Sequence, residues 1–389
     1  DAGAELIDME FLQFHPTGMV WPPGVMGLLV TEGVRGEGGI LRNNKGERFM
    51  WKYLPDARRH EYAETDDEAR LWLEDTVAGR QSKARRPPEL STRDNVARAI
   101  YTEVKEGRGT PHGGAFLDIS YLPAERVKRK LPSMYHQFRD LADVDITQQP
   151  MEVGPTTHYM MGGLRVDPDT AAATVPGLFA AGEAAAGLHG ANRLGGNSLS
   201  DLLVFGRRAG AGAAAYAKSL AAMPTPNDAE IEADTRALLN PFERGAGESP
   251  YEVHRALQDC MDRLVGIYRV QADLDRAIEE LQKLKARAAV VRVEGTRMFN
   301  PGWHLARDLQ NMLTASEAIT RSAALRKESR GAHSRLDHTG LDVALGQVNH
   351  SVTRGADGMR VTATPLTPMP AELSQLFEPG TAPKQEAAR

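Results

Sequence analysis

Two hydrophobic rhythms divide this sequence, and their junction limits what it can fold into more than any other feature. After Met223-Pro224-Thr225-Pro226-Asn227, which has the turn chemistry of a linker, apolar residues recur at helical spacing. Leu257, Met261, Leu264 and Tyr268 form one stripe, which Leu274, Ile278 and Leu281 continue. Leu305, Leu309, Met312 and Ile319 form another, set off by Asn300-Pro301-Gly302. Such stripes predict amphipathic helices packed as a bundle. Before the linker, short apolar runs such as Val25–Thr31 alternate with glycine-rich turns, and Gly177–Ala181 reads as a strand running into Gly182-Glu183. Strands and turns first, helices afterwards, predict an α+β chain of more than one domain. Residues 58–89 are densely charged with both signs and read as a solvated helix and loop. Beyond Gly355 proline is frequent and large apolar residues are few, so the tail is expected to be a loose or partly disordered wrap.

Composition removes several classes of function. The 389 residues hold 47 Lys+Arg against 52 Asp+Glu, a net charge of −5, which argues against a basic nucleic-acid-binding surface. With 41% hydrophobic and 25% charged residues the chain can build a core. The single cysteine, Cys260, excludes an intrachain disulfide and a four-thiolate metal or iron–sulfur centre made by this chain alone. No apolar run reaches the roughly 18 residues of a membrane-spanning helix. The sequence starts without an initiator Met or a signal-peptide pattern, so it reads as a protein of a reducing compartment or a piece of a longer chain.

Four clusters carry chemistry. Gln13-Phe14-His15-Pro16-Thr17-Gly18 holds a histidine before proline, where helix is disfavoured, and Thr31, Glu32 and Arg35 follow among glycines that let a loop approach a small anion. Ser91 or Thr92 can cap a helix through Val96 and Ile100, which puts Arg93 in its first turn. The helix dipole opposes a cation there, so Arg93 is either an exposed surface residue or one that is put to use. His158 lies in Pro155-Thr156-Thr157-His158-Tyr159-Met160-Met161-Gly162-Gly163. Last, Glu183 ends the Gly177–Gly182 run, a placement suited to sugar-like hydroxyls. His189-Gly190-Ala191-Asn192-Arg193 leads through Gly195-Gly196 into Asn197-Ser198-Leu199, an apolar helix whose first N–H groups can face an anion.

In that order and spacing, QFHPTG, LVTEGVRGEGG, RDNVARAI, THYMMGG, GLFAAGE, HGANRLGGNSLSDLLVFGR and the later Arg326–Arg335 (RKESRGAHSR) resemble the flavoprotein subunit of succinate dehydrogenase and fumarate reductase. The resemblance covers residues 9–54 and 90–340. It implies a capping domain over residues 1–152, with the short end of a flavin lobe at its start. The remainder of that FAD-binding lobe would be 153–222, a helical domain 223–325 and an extended tail 326–389. The family's N-terminal lobe, with its GxGxxG turn, has no counterpart here, so the chain is expected to begin just before the capping domain.

The resemblance further implies FAD as cofactor and succinate or fumarate as substrate. His15, Thr31, His158 and Arg193 would bind the two carboxylates, Arg193 as a bidentate clamp. Arg93 would be the proton donor and acceptor, with Glu32 and Arg35 relaying, and no metal is called for. A guanidinium is ordinarily a permanent cation, so chemistry only permits this role, and only if a relay returns the proton. Glu183, Asn197, Ser198 and Leu199 would face the flavin. Electrons would leave through an iron–sulfur subunit, with membrane-anchor subunits holding the assembly on the inner face of the cell membrane. The alternatives are fumarate reduction, L-aspartate oxidase, whose loop is usually of an ASNS type where this chain has Leu194-Gly195-Gly196-Asn197-Ser198, and a non-catalytic fragment.

Overall fold

A computed structural model describes residues 2–376, and the last part of the predicted tail lies outside the described residues. The chain forms two compact units, Gln13–Tyr159 and a second made of Asp1–Leu12 with Met160–Arg389. Its strands are β1 (Leu6–Ile7), β2 (Leu12–Met19), β3 (Ile40–Arg42), β4 (Ala115–Asp118), β5 (Met151–Met160), β6 (Gly163–Leu164), β7 (Val348–Gly355) and β8 (Gly358–Pro365).

In Gln13–Tyr159 the strand order is β2-β5-β4-β3, with β3–β4 and β4–β5 antiparallel. Five helices belong to this unit: α1 (Glu32–Gly36), α2 (Asp66–Val77), α3 (Arg93–Lys105), α4 (Ala124–Lys130) and α5 (Pro132–Ala142). The expected start of α3 is the observed one. Val96, Ala99 and Ile100 recur on its inner face and pack with Val34, Leu41, Leu117 and Met151 in one buried cluster. Each buried Val, Leu or Ile side chain there stabilises the unit by roughly 1.5–3 kcal/mol. Neither Ser91 nor Thr92 caps α3 through its side chain; the Ser91 hydroxyl instead accepts from the Asn95 amide at 3.0 Å.

The charged stretch 58–89 is only partly the solvated arm it reads as. Asp66–Val77 is a helix, capped by Thr65, whose hydroxyl accepts from Glu68 N–H at 3.2 Å. Glu89, at its end, is fully buried. Its carboxylate accepts from Arg48 Nε at 2.7 Å and Nη2 at 2.6 Å, and this pairing is what makes the burial tolerable.

The second unit contains α6 (Asn197–Ser219), α7 (Asp228–Glu243), α8 (Pro250–Val265), α9 (Gln271–Ala288), α10 (Pro301–Leu325) and the short α11 (Ala371–Ser374). Helices α8, α9 and α10 form the predicted bundle. Leu257, Leu264, Leu274, Leu281, Leu309 and Ile319 are buried in its core. Ala277, Ala306 and Leu313 are buried where Ile278, Leu305 and Met312 are only half-buried, a one-residue shift of the seam. Asn300, expected as a separator, is also a cap, since its side-chain oxygen accepts from Trp303 N–H at 3.0 Å.

Two expectations fail in this unit. Gly177–Ala181 is not a strand; among the described residues its pairing is a lone bridge between Ala172 and Phe179, and a strand exists only where neighbours pair along its length. The chain beyond Gly355 is not loose up to Pro365. β7 and β8 pair in register from Val348↔Pro365 to Gly355↔Gly358, and the sheet order is β6-β1-β7-β8. Val348, Val352 and Thr353, the Ala356-Asp357 turn closed by Gly358, and the β-branched Val361, Thr362 and Thr364 account for this hairpin, a signal that the prolines further on obscure.

Candidate active site

In Gln13–Tyr159 five of the residues singled out by sequence converge. His15 lies on β2 and His158 on the neighbouring β5, their rings edge-to-face with centroids 5.2 Å apart. Glu32 opens α1 and Arg35 sits one turn later. Arg93 opens α3, and its Nε donates to Glu32 Oε2 at 2.7 Å while its Nη2 lies 2.6 Å from the same oxygen. That carboxylate answers the unfavourable placement of a cation at a helix start. The other side of the guanidinium reaches His158, with Nη1 3.2 Å from Nε2. A guanidinium can only donate, so Nε2 accepts and His158 is the neutral tautomer protonated at Nδ1.

Arg35 is more confined. Its side chain is fully buried, its Nη1 donates to the Glu89 carbonyl at 2.7 Å, and its Nη2 lies 3.9 Å from Glu32 Oε2, an ion pair without a hydrogen bond. Its Nε and Nη2 find no hydrogen-bond acceptor among the described residues. Burial first, then the Arg93 cation, pull its pKa down to about 10 against the opposing pull of Glu32 and Glu89. The arrangement therefore holds two cations against one shared carboxylate oxygen, with one cation held less firmly than usual.

His15 is buried, with Nδ1 3.1 Å from Thr17 O and 3.3 Å from Thr17 N. Burial, followed by Arg35 and Arg93, lowers its pKa to about 3. It can thus offer a substrate a neutral donor or acceptor at ordinary pH, but not the cation that a dianion site suggests. Thr31 caps α1, its hydroxyl accepting from Gly33 N–H at 3.3 Å. Glu89 and Thr17 were missed by sequence reasoning. Pro87-Pro88 ahead of Glu89-Leu90 could have marked a fixed entry into α3.

The other predicted residues lie in the second unit. Arg193 is 4% exposed and its Nη1 is 3.3 Å from Ser198 Oγ. Asn197, Ser198 and Leu199 form the first turn of α6, whose cap, Gly196, has φ 85° and no capping side chain. Asn197 N–H and Leu199 N–H donate to the Leu194 and Gly196 carbonyls at 3.3 and 3.1 Å, so no side chain covers the positive end of the helix, which suits an anionic group. Glu183 stands in a short 3-10 turn, and its Oε1 accepts from Met160 N–H at 2.9 Å. Among the 23 residues of α6 only Asp201 is buried, while Leu199, Leu202 and Leu203 are exposed. An uncapped helix start, a nearby carboxylate and an exposed apolar flank fit a large, part-polar, anionic cofactor.

Residues 1–199 match the model of an FAD binding domain, and residues 254–376 match that of the fumarate reductase flavoprotein C-terminal region. The chain belongs to the succinate dehydrogenase and fumarate reductase flavoprotein family. FAD is this family's cofactor. A chain of the fumarate reductase (CoM/CoB) of Methanothermobacter marburgensis is 44% identical over 336 residues, 86% of this chain and 55% of that one. A succinate dehydrogenase flavoprotein subunit from Coxiella burnetii is 36% identical over 356 residues, 88% of this chain and 55% of that one. The solved structure of Mycobacterium smegmatis Sdh1 in complex with UQ1 superposes with a TM-score of 0.76 at 51% identity, covering 95% of this chain and 58% of that one. The chain thus spans little more than half the length of these family members.

Proposed function

We infer that the chain is the substrate-handling part of a flavoprotein subunit that interconverts succinate and fumarate. The observation that carries this reading is the single oxygen, Glu32 Oε2, held by Arg93 and faced by Arg35. Bound FAD would supply the hydride chemistry, which a protein side chain cannot. Arg93 would hand a proton to, or take one from, the substrate carbon at its guanidinium, with Glu32 restoring the proton and Arg35, the less firmly protonated cation, behind it. His158, on the other side of the same guanidinium, would orient it while offering Nδ1–H to a carboxylate. His15 and Thr31 would add neutral polar contacts, and Arg193 a planar, two-pronged carboxylate grip that lysine cannot copy. Glu183 and the first turn of α6, Asn197 to Leu199, would hold the cofactor.

The finer family description, a capping domain with a flavin lobe, is part of the same proposal. So is delivery of electrons to an iron–sulfur subunit, then to quinone through membrane-anchor subunits. Support comes from the relatives, which include flavoprotein subunits of an 8-methylmenaquinol:fumarate reductase and of a succinate dehydrogenase. The physiological direction depends on flavin and quinone potentials, so fumarate reduction is the same proposal run backwards.

The test is Arg93→Gln in the full-length protein. Turnover should fall at least ~100-fold, the usual worth of a positioned acid–base group, with flavin content intact. Near-normal succinate turnover would falsify the relay.

A further inference from the structure

The segment Arg326–Arg335 was singled out in the sequence, and nothing in the proton relay uses it. It turns back sharply. Arg330 N–H donates to His333 O and His333 N–H donates to Arg330 O, both at 2.9 Å, which leaves Gly331 and Ala332 as the tip of a two-residue turn. The tip presses on the backbone of a distant stretch of the same unit. Ala332 N–H donates to Ala191 O at 2.9 Å. A Cβ placed on Gly331 would lie 2.3 Å from that oxygen, 2.6 Å from its carbon and 2.7 Å from the Ala191 Cβ. Gly331 also has φ 55°, so both the space and the backbone conformation demand glycine.

The base of the turn is fixed. His333 is fully buried, its Nδ1 2.7 Å from Arg269 Nη1 and its Nε2 3.1 Å from Arg326 O. Since the guanidinium donates, Nδ1 accepts and Nε2–H donates to the carbonyl; burial, then Arg269, keeps the ring neutral, well below its ordinary pKa. Arg330 Nε and Arg326 Nη1 both donate to Glu328 Oε1, at 2.8 and 2.9 Å. A rigid base thus carries a tip that fits only one height of the Ala191 carbonyl, and Arg193 is two residues further on.

We propose that Gly331 and Ala332 are positioning residues for substrate binding: their contact with Ala191 sets the height of the His189–Arg193 loop and so the aim of the Arg193 guanidinium. This rests on reading Arg193 as a carboxylate ligand. A misplacement of about 1 Å in a positioned group can cost on the order of 100-fold, so a methyl group wedged at the tip has a measurable consequence.

The test is a double-mutant cycle in the flavin-loaded full-length protein, with malonate as the dianionic probe. Gly331→Ala should weaken malonate binding about tenfold or more and raise KM by a similar factor, while kcat moves less than about threefold and flavin content holds. In an Arg193→Gln background the same substitution should have no further effect on malonate, which mere loosening of the fold would not reproduce. If Gly331→Ala does not fold, Ala191→Gly, which frees the loop without adding an atom, replaces it. It should weaken malonate severalfold in the parent and not in Arg193→Gln. Effects that add fully in the double variant, or unchanged malonate affinity in the single loop or tip variant, overturn the positioning role. Should Arg193→Gln alone leave malonate binding unchanged, it is the reading of Arg193 that fails.

Discussion

Two arginine–glutamate networks, one in each compact unit, use the same side chains to opposite ends. In Gln13–Tyr159, Arg35 and Arg93 share Glu32, and two of the Arg35 nitrogens lack an acceptor among the described residues. In the second unit, Arg326 donates to Glu10 at 2.5 Å, to Glu328 at 2.9 Å and to the Leu345 and Val348 carbonyls at 2.9 and 3.2 Å. Arg335 is held by Asp337 at 2.7 and 2.8 Å and by the Ala323 carbonyl at 3.0 Å. Burial lowers Arg35 and Arg269 alike, each to about 10. Yet Arg269 rests on the Glu10 and Val265 carbonyls at 2.8 and 3.0 Å and on His333. Burial alone therefore does not mark a working arginine. What separates Arg35 from Arg269 is a shortage of acceptors, and under the proposed relay a saturated guanidinium would have nothing left to exchange.

The hardest test of this contrast is stability. Arg326→Met leaves Glu10 and Glu328 buried without their shared cation and should lower unfolding free energy by about 3–5 kcal/mol. Arg35→Gln removes an under-satisfied buried charge and should shift stability by less than about 1 kcal/mol while slowing turnover. Denaturant unfolding of both full-length variants decides it; equal losses would erase the distinction.

A smaller effect separates the units by pH. The folded pKa of His15, about 3, lies below its ordinary 6.5, so the unfolded chain takes up the proton first. Its contribution to stability is complete above pH 6.5 and is lost as pH falls toward 3. Asp8, in the other unit, is raised from 3.8 to about 6 by burial and by Glu10, so its contribution is complete below 3.8 and is lost as pH rises through 6. Relative to the parent, Asp8→Asn should gain stability as pH rises from 4 to 6, and His15→Gln should gain as pH falls from 6.5 to 4. Each slope is at most about 1.4 kcal/mol per pH unit. Parallel or flat differences in unfolding titrations would contradict the assigned shifts.

The smallest change calibrates both. Thr65→Ala removes the cap of α2, remote from either network by role, and should lower stability by about 1 kcal/mol with turnover unchanged. A loss of activity there would mean that the charged arm contributes more than surface.

What could be read in advance was local. The helical stripes, the start of α3 at Arg93 and the Gly196 opening of α6 follow from nearest-neighbour chemistry. Glu32 and Arg93, 61 positions apart, could be brought together only through family resemblance. The partners of Arg326 were hidden for the same reason, since Glu10 is 316 positions away and no local pattern announces the pairing. Glu89 was misjudged because a run of mixed charge looks solvated whether or not one member turns inward. The β7–β8 hairpin was missed because the prolines beyond it dominated the reading of the tail.

The short strand β1 has a consequence for how the molecule is made. Leu6 pairs with Leu164 on one side and with Val352 on the other. At the roughly 5–20 residues per second of protein synthesis, its second partner emerges about 20–70 s after it does. A β-hairpin forms in microseconds, so β7 and β8 can close on each other as soon as they appear. Leu6–Ile7 must keep one edge unpaired until the distant β7 has been made. Two residues are a poor template for stray pairing, and that brevity suits a strand whose neighbour follows so far behind it in the chain.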